Sequence, residues 1–202
     1  MGVATMNDCL ERGKIMSRKP RVWFPGAVYH ITSRGNRKAA IFYSQKDYEK
    51  YLSLLEETRE KYPFLLHAYC LMPNHLHLLL ETIDIHIKEI MKMLHSNYAT
   101  YFNKRYDLVG HVFQGRYGAK LIDSVDYFSE ASRYIHLNPV EANLVSSPEQ
   151  YQWSSYAAYV LGNKNPHVIT SKLLFYFQTS ENYRKYVESK IGMRTLTKNS
   201  SK

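Results

Sequence analysis

Residues 71–80 read Leu71-Met72-Pro73-Asn74-His75-Leu76-His77-Leu78-Leu79-Leu80. The run after Pro73–Asn74 is short, apolar and interrupted only by two histidines, which favours a buried strand over a helix. Side chains alternate along a strand, so His75 and His77 share one face while Leu76 and Leu78 take the other. Two imidazoles one strand-step apart can share a divalent metal without distorting the backbone. The competing reading gives each imidazole a carbonyl or a water, and for either histidine alone it is the better one. For the pair, a metal site is preferred, because a buried imidazole needs a partner and convergent titratable groups tend to mark function.

Working outward, Pro73–Asn74 turns a strand over Leu65 to Met72 into the histidine strand, making an antiparallel hairpin. Val28 to Ser33 alternates and is β-branched, so it reads as a first strand, with His30 as a packed core histidine rather than a ligand. Ser44 with Asp47 resembles a capping box, and Tyr48, Tyr51, Leu52 and Leu55 recur at helical spacing, predicting a helix from Gln45 to Lys61 that Pro63 ends. Ile87, Ile90, Met91, Leu94 and Tyr98 predict a second helix to about Lys104. The later part of 112–122 reads as a fourth strand carrying Arg116 and Lys120 on one face. Strand, helix, strand, strand, helix, strand is two split units. The expected class is α+β, a ferredoxin-like antiparallel sheet with helices on one face. A further helix starts near Ser124 and turns Phe128, Ala131 and Ile135 inward. It is expected to stop at Pro139, since the residue before a proline is pushed out of the helical region.

The 202 residues and their 45% apolar content suit one globular domain with a small appendage. The expected units are a loose leader at 1–17, a main domain at 18–160 and an accessory helical tail at 161–202, disordered from about Thr195. Met16, where the patterned sequence begins, would serve as a native start. No stretch approaches the ~20 apolar residues of a membrane span, and the N-terminus lacks the apolar core of a signal peptide. Cys9 and Cys70 are too few for a disulfide framework, so a cytoplasmic protein is expected.

A net charge of +9 suits a polyanionic partner, nucleic acid first of all. The candidate contacts to such a partner fall in three places. Arg18, Lys19 and Arg21 form an N-terminal arm that reads equally well as phosphate-binding or merely solvated. Arg34, Arg37 and Lys38 flank a glycine in a loop suited to phosphates. Gln114, Arg116 and Lys120 read equally as DNA contacts or as a solvated face. The 18 tyrosines offer stacking surfaces for unpaired bases, and their number makes it hard to single one out.

Four segments occur in order: Pro25-Gly26-Ala27-Val28-Tyr29-His30, Ser33-Arg34-Gly35-Asn36, Cys70-Leu71-Met72-Pro73-Asn74-His75-Leu76-His77 and Tyr134-Ile135-His136-Leu137-Asn138-Pro139-Val140. As a set they resemble the REP-associated tyrosine transposases, a branch of the single-tyrosine HUH transposases, over about Arg18 to Tyr159. The resemblance implies a metal-dependent enzyme that nicks and rejoins single-stranded DNA at hairpin-forming repeat ends. His75 and His77 match the metal-binding histidine pair, Tyr134 the nucleophilic tyrosine, and Asn138 the place of a polar third ligand. It also implies Mg2+ or Mn2+ with no organic cofactor, a homodimer, and association with the nucleoid when bound to DNA. His136 reads as structural or as a phosphate contact. The segment after Leu161 lies outside the resemblance and reads as a DNA-binding module or a lid.

Those residue types suit phosphoryl chemistry. A divalent ion on a non-bridging oxygen lowers the barrier that a phosphodiester's charge raises. A phenol, with a reference pKa of about 10, needs a nearby cation or base to become a nucleophile. Attack by Tyr134 would leave a 5′-phosphotyrosine and a free 3′-hydroxyl. Two other classes stay open: a DNA-binding regulator that has lost turnover, and a metal phosphoesterase using water as nucleophile.

Overall fold

A computed structural model describes residues 22–199, with side chains as far as Ile191. The leader at 1–17 and the arm residues Arg18, Lys19 and Arg21 lie outside the described residues. The elements run β1 (Val28–Arg34), α1 (Gln45–Lys61), β2 (Phe64–Met72), β3 (His75–Thr82), α2 (Ile87–Tyr106), β4 (Gly118–Ile122), α3 (Val125–Glu141), α4 (Tyr156–Val160), α5 (Ser171–Phe177) and α6 (Ser180–Asn199). The sheet order is β2-β3-β1-β4 with every neighbour antiparallel, the order two split units produce. No helix among the described residues is long and apolar enough to cross a membrane.

The leucines of β3, at 76 and 78–80, are all buried because both faces of the sheet are covered. Leu76, Leu78 and Leu80 join Tyr29 and Ile31 beneath α1 and α2. On the opposite face Leu79 joins Val28, Ala68, Cys70 and Met72 beneath α3, whose Phe128, Ala131 and Ile135 point inward. Each buried leucine contributes roughly 1.5–3 kcal/mol through removal from water. A slip of one residue in β3 would exchange those leucines for the histidines, so hydrophobic burial fixes which way His75 and His77 face.

The capping box forms: the Asp47 carboxylate accepts from the Ser44 backbone N–H at 2.8 Å, and Tyr106 Oη donates to it at 2.7 Å, tying α1 to α2. On the other side, the edge of β2 is closed by residues 153–155. The Leu71 N–H donates to Trp153 O at 2.9 Å, the Ser155 N–H donates to Tyr69 O at 3.0 Å, and the Trp153 ring stacks on Tyr48. This protects an edge that would otherwise present unpaired backbone groups. Beyond Leu161, Leu173, Tyr183 and Val187 are fully buried in the same core as Phe128 and Ile135.

One expectation is corrected. The helix does not stop at Pro139; α3 runs through it to Glu141. Pro139 lies in the last turn, where its missing N–H forfeits one hydrogen bond, and the Ala142 and Leu144 N–H groups close the end on Asn138 O and Pro139 O. Asn138 therefore keeps its place on the helix, one turn beyond Tyr134.

His136 is wholly buried, with Nδ1 2.7 Å from Tyr183 Oη and Nε2 2.8 Å from Ser155 Oγ. That makes it a structural bridge among α3, α6 and the segment before α4, and its burial rules out a phosphate contact. Burial pushes its pKa down to about 3, against 6.5 for an ordinary imidazole. The folded value is depressed, so the unfolded chain binds the extra proton as pH falls through the window between those values. Stability from this group is full above pH 6.5 and declines by about 1.4 kcal/mol per pH unit once the unfolded imidazole is charged. Denaturant titrations at pH 7, 5.5 and 4.5 should show falling midpoints, and His136→Gln should flatten the decline. A slope equal in both proteins would mean that other groups cause it.

Candidate active site

The histidine face of β3 looks toward α3, and register decides what surrounds it. Thr32 pairs with His77 and Arg34 with His75 across β1–β3, while His30 pairs with Lys120 across β1–β4. Arg34, His75, His77, Gln114, Arg116 and Tyr134 line one open cavity of about 430 Å³. The Tyr134 ring, half exposed, meets His77 edge-on at 5.3 Å between centroids and His30 at 5.6 Å.

Two glycines admit close backbone approaches around the cavity. A Cβ on Gly118 would lie 2.6 Å from Thr32 Oγ1, inside the cavity wall. On Gly35 it would lie 2.0 Å from Ala39 O, where the loops bearing the cavity rim are knotted together. There the Gly35 N–H donates to Asn74 O at 2.8 Å, and the Gln114 N–H donates to Arg34 O at 2.9 Å.

The tautomers follow from the hydrogen bonds. Asn74 Nδ2 donates to Lys38 O at 3.2 Å, which leaves Asn74 Oδ1 to accept from His75 Nδ1–H at 2.7 Å. His75 Nε2 then carries a lone pair, yet it stands 3.0 Å from another acceptor, Asn138 Oδ1. His77 Nδ1 lies 3.0 Å from His30 Nε2, and His77 Nε2 is buried with no hydrogen-bond partner among the described residues.

Burial lowers the pKa of His75, and Arg34 adds to the shift against an opposing contribution from Asn138. Burial also drives His77 well below its ordinary value, helped by His30, His75 and Arg34. Burial, with Lys120 nearby, brings His30 down to about 4. All three rings are therefore neutral at pH 7, the state in which an imidazole donates a lone pair to a metal.

Among the described residues no group of three or more His, Cys, Asp or Glu is gathered to hold a metal ion. The candidate donors are His75 Nε2 and Asn138 Oδ1, 3.0 Å apart, with the His77 ring 5.1 Å from the His75 ring between centroids. A buried ring nitrogen without a partner on His77, and two facing acceptors on the neighbouring His75 and Asn138, fit a cation better than a satisfied polar network. Nitrogen and amide donors suit Mn2+ at least as well as Mg2+, which prefers oxygen.

The expected DNA contacts separate. Arg34, Gln114 and Arg116 come together on the cavity, although Arg116 lies in the loop before β4 rather than on the strand. Arg37 and Lys38 sit on the turn following Gly35 and do not line it. Lys120 faces the same side of the sheet as His30, with its ammonium over the Tyr127 ring at 4.4 Å.

His30 was expected in the core and instead touches both His77 and Tyr134. Its alternation with Val28 put it on one face of β1, but only the β1–β3 register joins that face to the histidines of β3.

Residues 24–138 match the family model described as "Transposase IS200 like". Among solved structures, a REP-associated tyrosine transposase bound to a REP hairpin is similar at a TM-score of 0.63 and 18% identity, over 76% of this chain and 92% of that chain. A putative transposase from Deinococcus radiodurans is similar at a TM-score of 0.42 and 18% identity, over 59% of this chain and 95% of that one. No curated protein matches the sequence.

Proposed function

The chain belongs to the IS200-like transposase family, and from that premise we propose that it cuts and rejoins single-stranded DNA through a 5′-phosphotyrosine on Tyr134. The observation that carries the reading is the Tyr134 ring set against His77, whose Nε2 is buried without a partner. The substrate proposed is a hairpin-forming single strand of DNA, a reading supported by the similar transposase, which is bound to a REP hairpin.

Arg34, Gln114 and Arg116 would bind the phosphates flanking the reacting one and fix its position before Tyr134. Tyr134 Oη then bonds to phosphorus as the phosphorus–O3′ bond breaks. The phenol gives up its proton, and the departing oxygen takes one up to become a 3′-hydroxyl, so atoms and charge balance. The phosphotyrosine bond retains the cleaved linkage, and attack by a 3′-hydroxyl reverses the step and joins ends. His75, His77 and Asn138 would hold a divalent cation, which supplies Lewis-acid stabilisation of the charge on a non-bridging oxygen.

The test is a denaturation-resistant protein–DNA adduct. A labelled hairpin with unpaired extensions, taken from DNA flanking the gene, is incubated with the protein and Mn2+ or Mg2+. The expected adduct forms with the single strand, fails with chelator and fails with the same sequence as duplex. Binding without an adduct in either metal would favour a regulator that keeps the fold without turnover.

His30 has a defined part in this reading. For His77 to present Nε2 to a cation, its Nδ1 must carry the proton and donate it toward His30 Nε2. Removing such an outer partner typically costs about 10–100-fold in metal affinity. His30→Phe should weaken Mn2+ binding by that factor in calorimetry, and His30→Gln, which keeps an acceptor, should restore most of it. Equal affinity in His30→Phe and wild type would mean that the ring only packs.

A further inference from the structure

A second concavity of about 490 Å³ opens between α2 and the loop of residues 110–117. Its character is unlike that of the active-site cavity. Met91, Val112, Phe113 and Tyr117 make its walls, while Lys88, Lys92 and Arg116 stand around it. None of its lining residues is acidic. Lys92 and Arg116 have no carboxylate partner among the described residues, so the rim keeps its positive charge.

The two cavities share a wall. Gly115 and Arg116 line both, and between them the His95 ring stacks on Phe113 at 4.2 Å with its Nε2 3.4 Å from Ser33 Oγ. Ser33 in turn borders the active-site cavity. A strand whose phosphate sits beside Arg116 thus has an apolar, aromatic recess on the other side of that residue.

We propose that this groove receives one unpaired nucleobase of the bound strand, next to the nucleotide that reacts with Tyr134. The inference rests on the proposed function for its substrate, and it adds where a base is read. Apolar walls that include Phe113 and Tyr117 suit a base and are poor for a phosphate. The cationic rim suits the backbone on either side and disfavours an apolar peptide. The volume falls within the ~300–1,000 Å³ usual for small-ligand clefts and is far too small for a duplex. A strand running from the active-site cavity over Arg116 into the groove would be held at two consecutive points, which sets the cleavage position relative to the hairpin.

The test couples a filled groove to a missing base. Ser96 is exposed on α2 and lines the groove, so Ser96→Trp fills it without entering the core. The probe is the flanking-DNA hairpin with its unpaired extensions, intact or with a single abasic site at each unpaired position in turn. Affinity is read by fluorescence anisotropy without divalent metal, in a Tyr134→Phe background that leaves the strand uncut.

One abasic position should weaken binding about tenfold, the scale of a lost base–aromatic stack. Ser96→Trp should weaken the intact strand by a similar factor, and the two changes together should cost no more than either alone. Lys92→Gln, on the rim, should weaken intact and abasic strands alike. Losses that multiply would place the base elsewhere and overturn the inference, as would an affinity untouched by Ser96→Trp. Either result leaves the adduct assay, and the functional reading it tests, unaffected. A protein that binds none of these strands would instead overturn the functional reading, and this inference with it.

Discussion

Tyr134→Phe is expected to abolish the covalent adduct while leaving the protein folded and the strand bound. The change removes one oxygen, and that hydroxyl makes no hydrogen bond among the described residues, so nothing in the fold depends on it. The ring contacts with His30 and His77 survive in phenylalanine. Stability should therefore move by less than about 0.5 kcal/mol, as for a neutral surface substitution. Chemistry should fall far more. Loss of a covalent nucleophile elsewhere costs about 10⁶-fold, with residual turnover coming from binding and electrostatics alone. Here a residual reaction would need water to replace the phenol, and its product would carry no protein. The measurements are adduct yield on a denaturing gel, anisotropy for binding and a thermal melt for folding. An adduct surviving the substitution would mean that another tyrosine is the nucleophile. Loss of adduct with strand cleavage largely intact would establish the water-using phosphoesterase instead.

His77→Ala should have the second largest effect, for a different reason. His77 is nearly buried, and its Nε2 is the atom for which the fold provides no partner. Its neutrality follows first from burial, with His30, His75 and Arg34 adding to the shift, and its pKa lies well below the ordinary value. A residue so placed costs the apo protein an unsatisfied polar atom, a penalty of about 1–3 kcal/mol that alanine relieves while giving up the bond to His30 and the ring contacts with His30 and Tyr134. The two readouts should therefore separate. Without metal, the relieved polar atom and the lost contacts offset one another, and His77→Ala should stay close to wild type in stability. Mn2+ binding should fall by more than about 100-fold, beyond the usual effect of losing an outer partner, and adduct formation should fall with it. The comparison needs calorimetry with Mn2+ and denaturant unfolding in chelator. If His77→Ala lost apo stability and kept its Mn2+ affinity, His77 would be a packing residue and the metal site would lie elsewhere.

Much of the molecule was legible from short-range signals. The Ser44–Asp47 capping box and Pro63 bound α1 at Gln45 and Lys61, as predicted, because those residues act on their own helix ends. The Pro73–Asn74 turn and the alternation beyond it placed β3 and put His75 and His77 on one face. Two split units then imply the order β2-β3-β1-β4, since the antiparallel hairpin and right-handed crossovers leave few alternatives. Tyr134 was singled out in another way, through the family motif, because one tyrosine among 18 carries no local mark of its own.

What the sequence could not decide was set by cross-chain energies. His30 and His77 are 47 residues apart, and their contact depends on the β1–β3 register, which burial of two separate leucine and aromatic sets selects. Pro139 reads locally as a stop, yet the packing of Ile135 and Leu137 and the closing bonds of the last turn carry α3 past it. His136 looked as able to meet phosphate as to pack until Tyr183 and Ser155 enclosed it. Sequence by itself determined the elements, the face of the histidine pair and the family pattern, since each is written in residues a few positions apart. Tertiary structure alone decided that His30 joins the site, that Arg116 and Gln114 border it while Arg37 and Lys38 do not, and that Asn138 stays aimed at His75. Those outcomes depend on how separate strands and helices pack, and no local pattern encodes that.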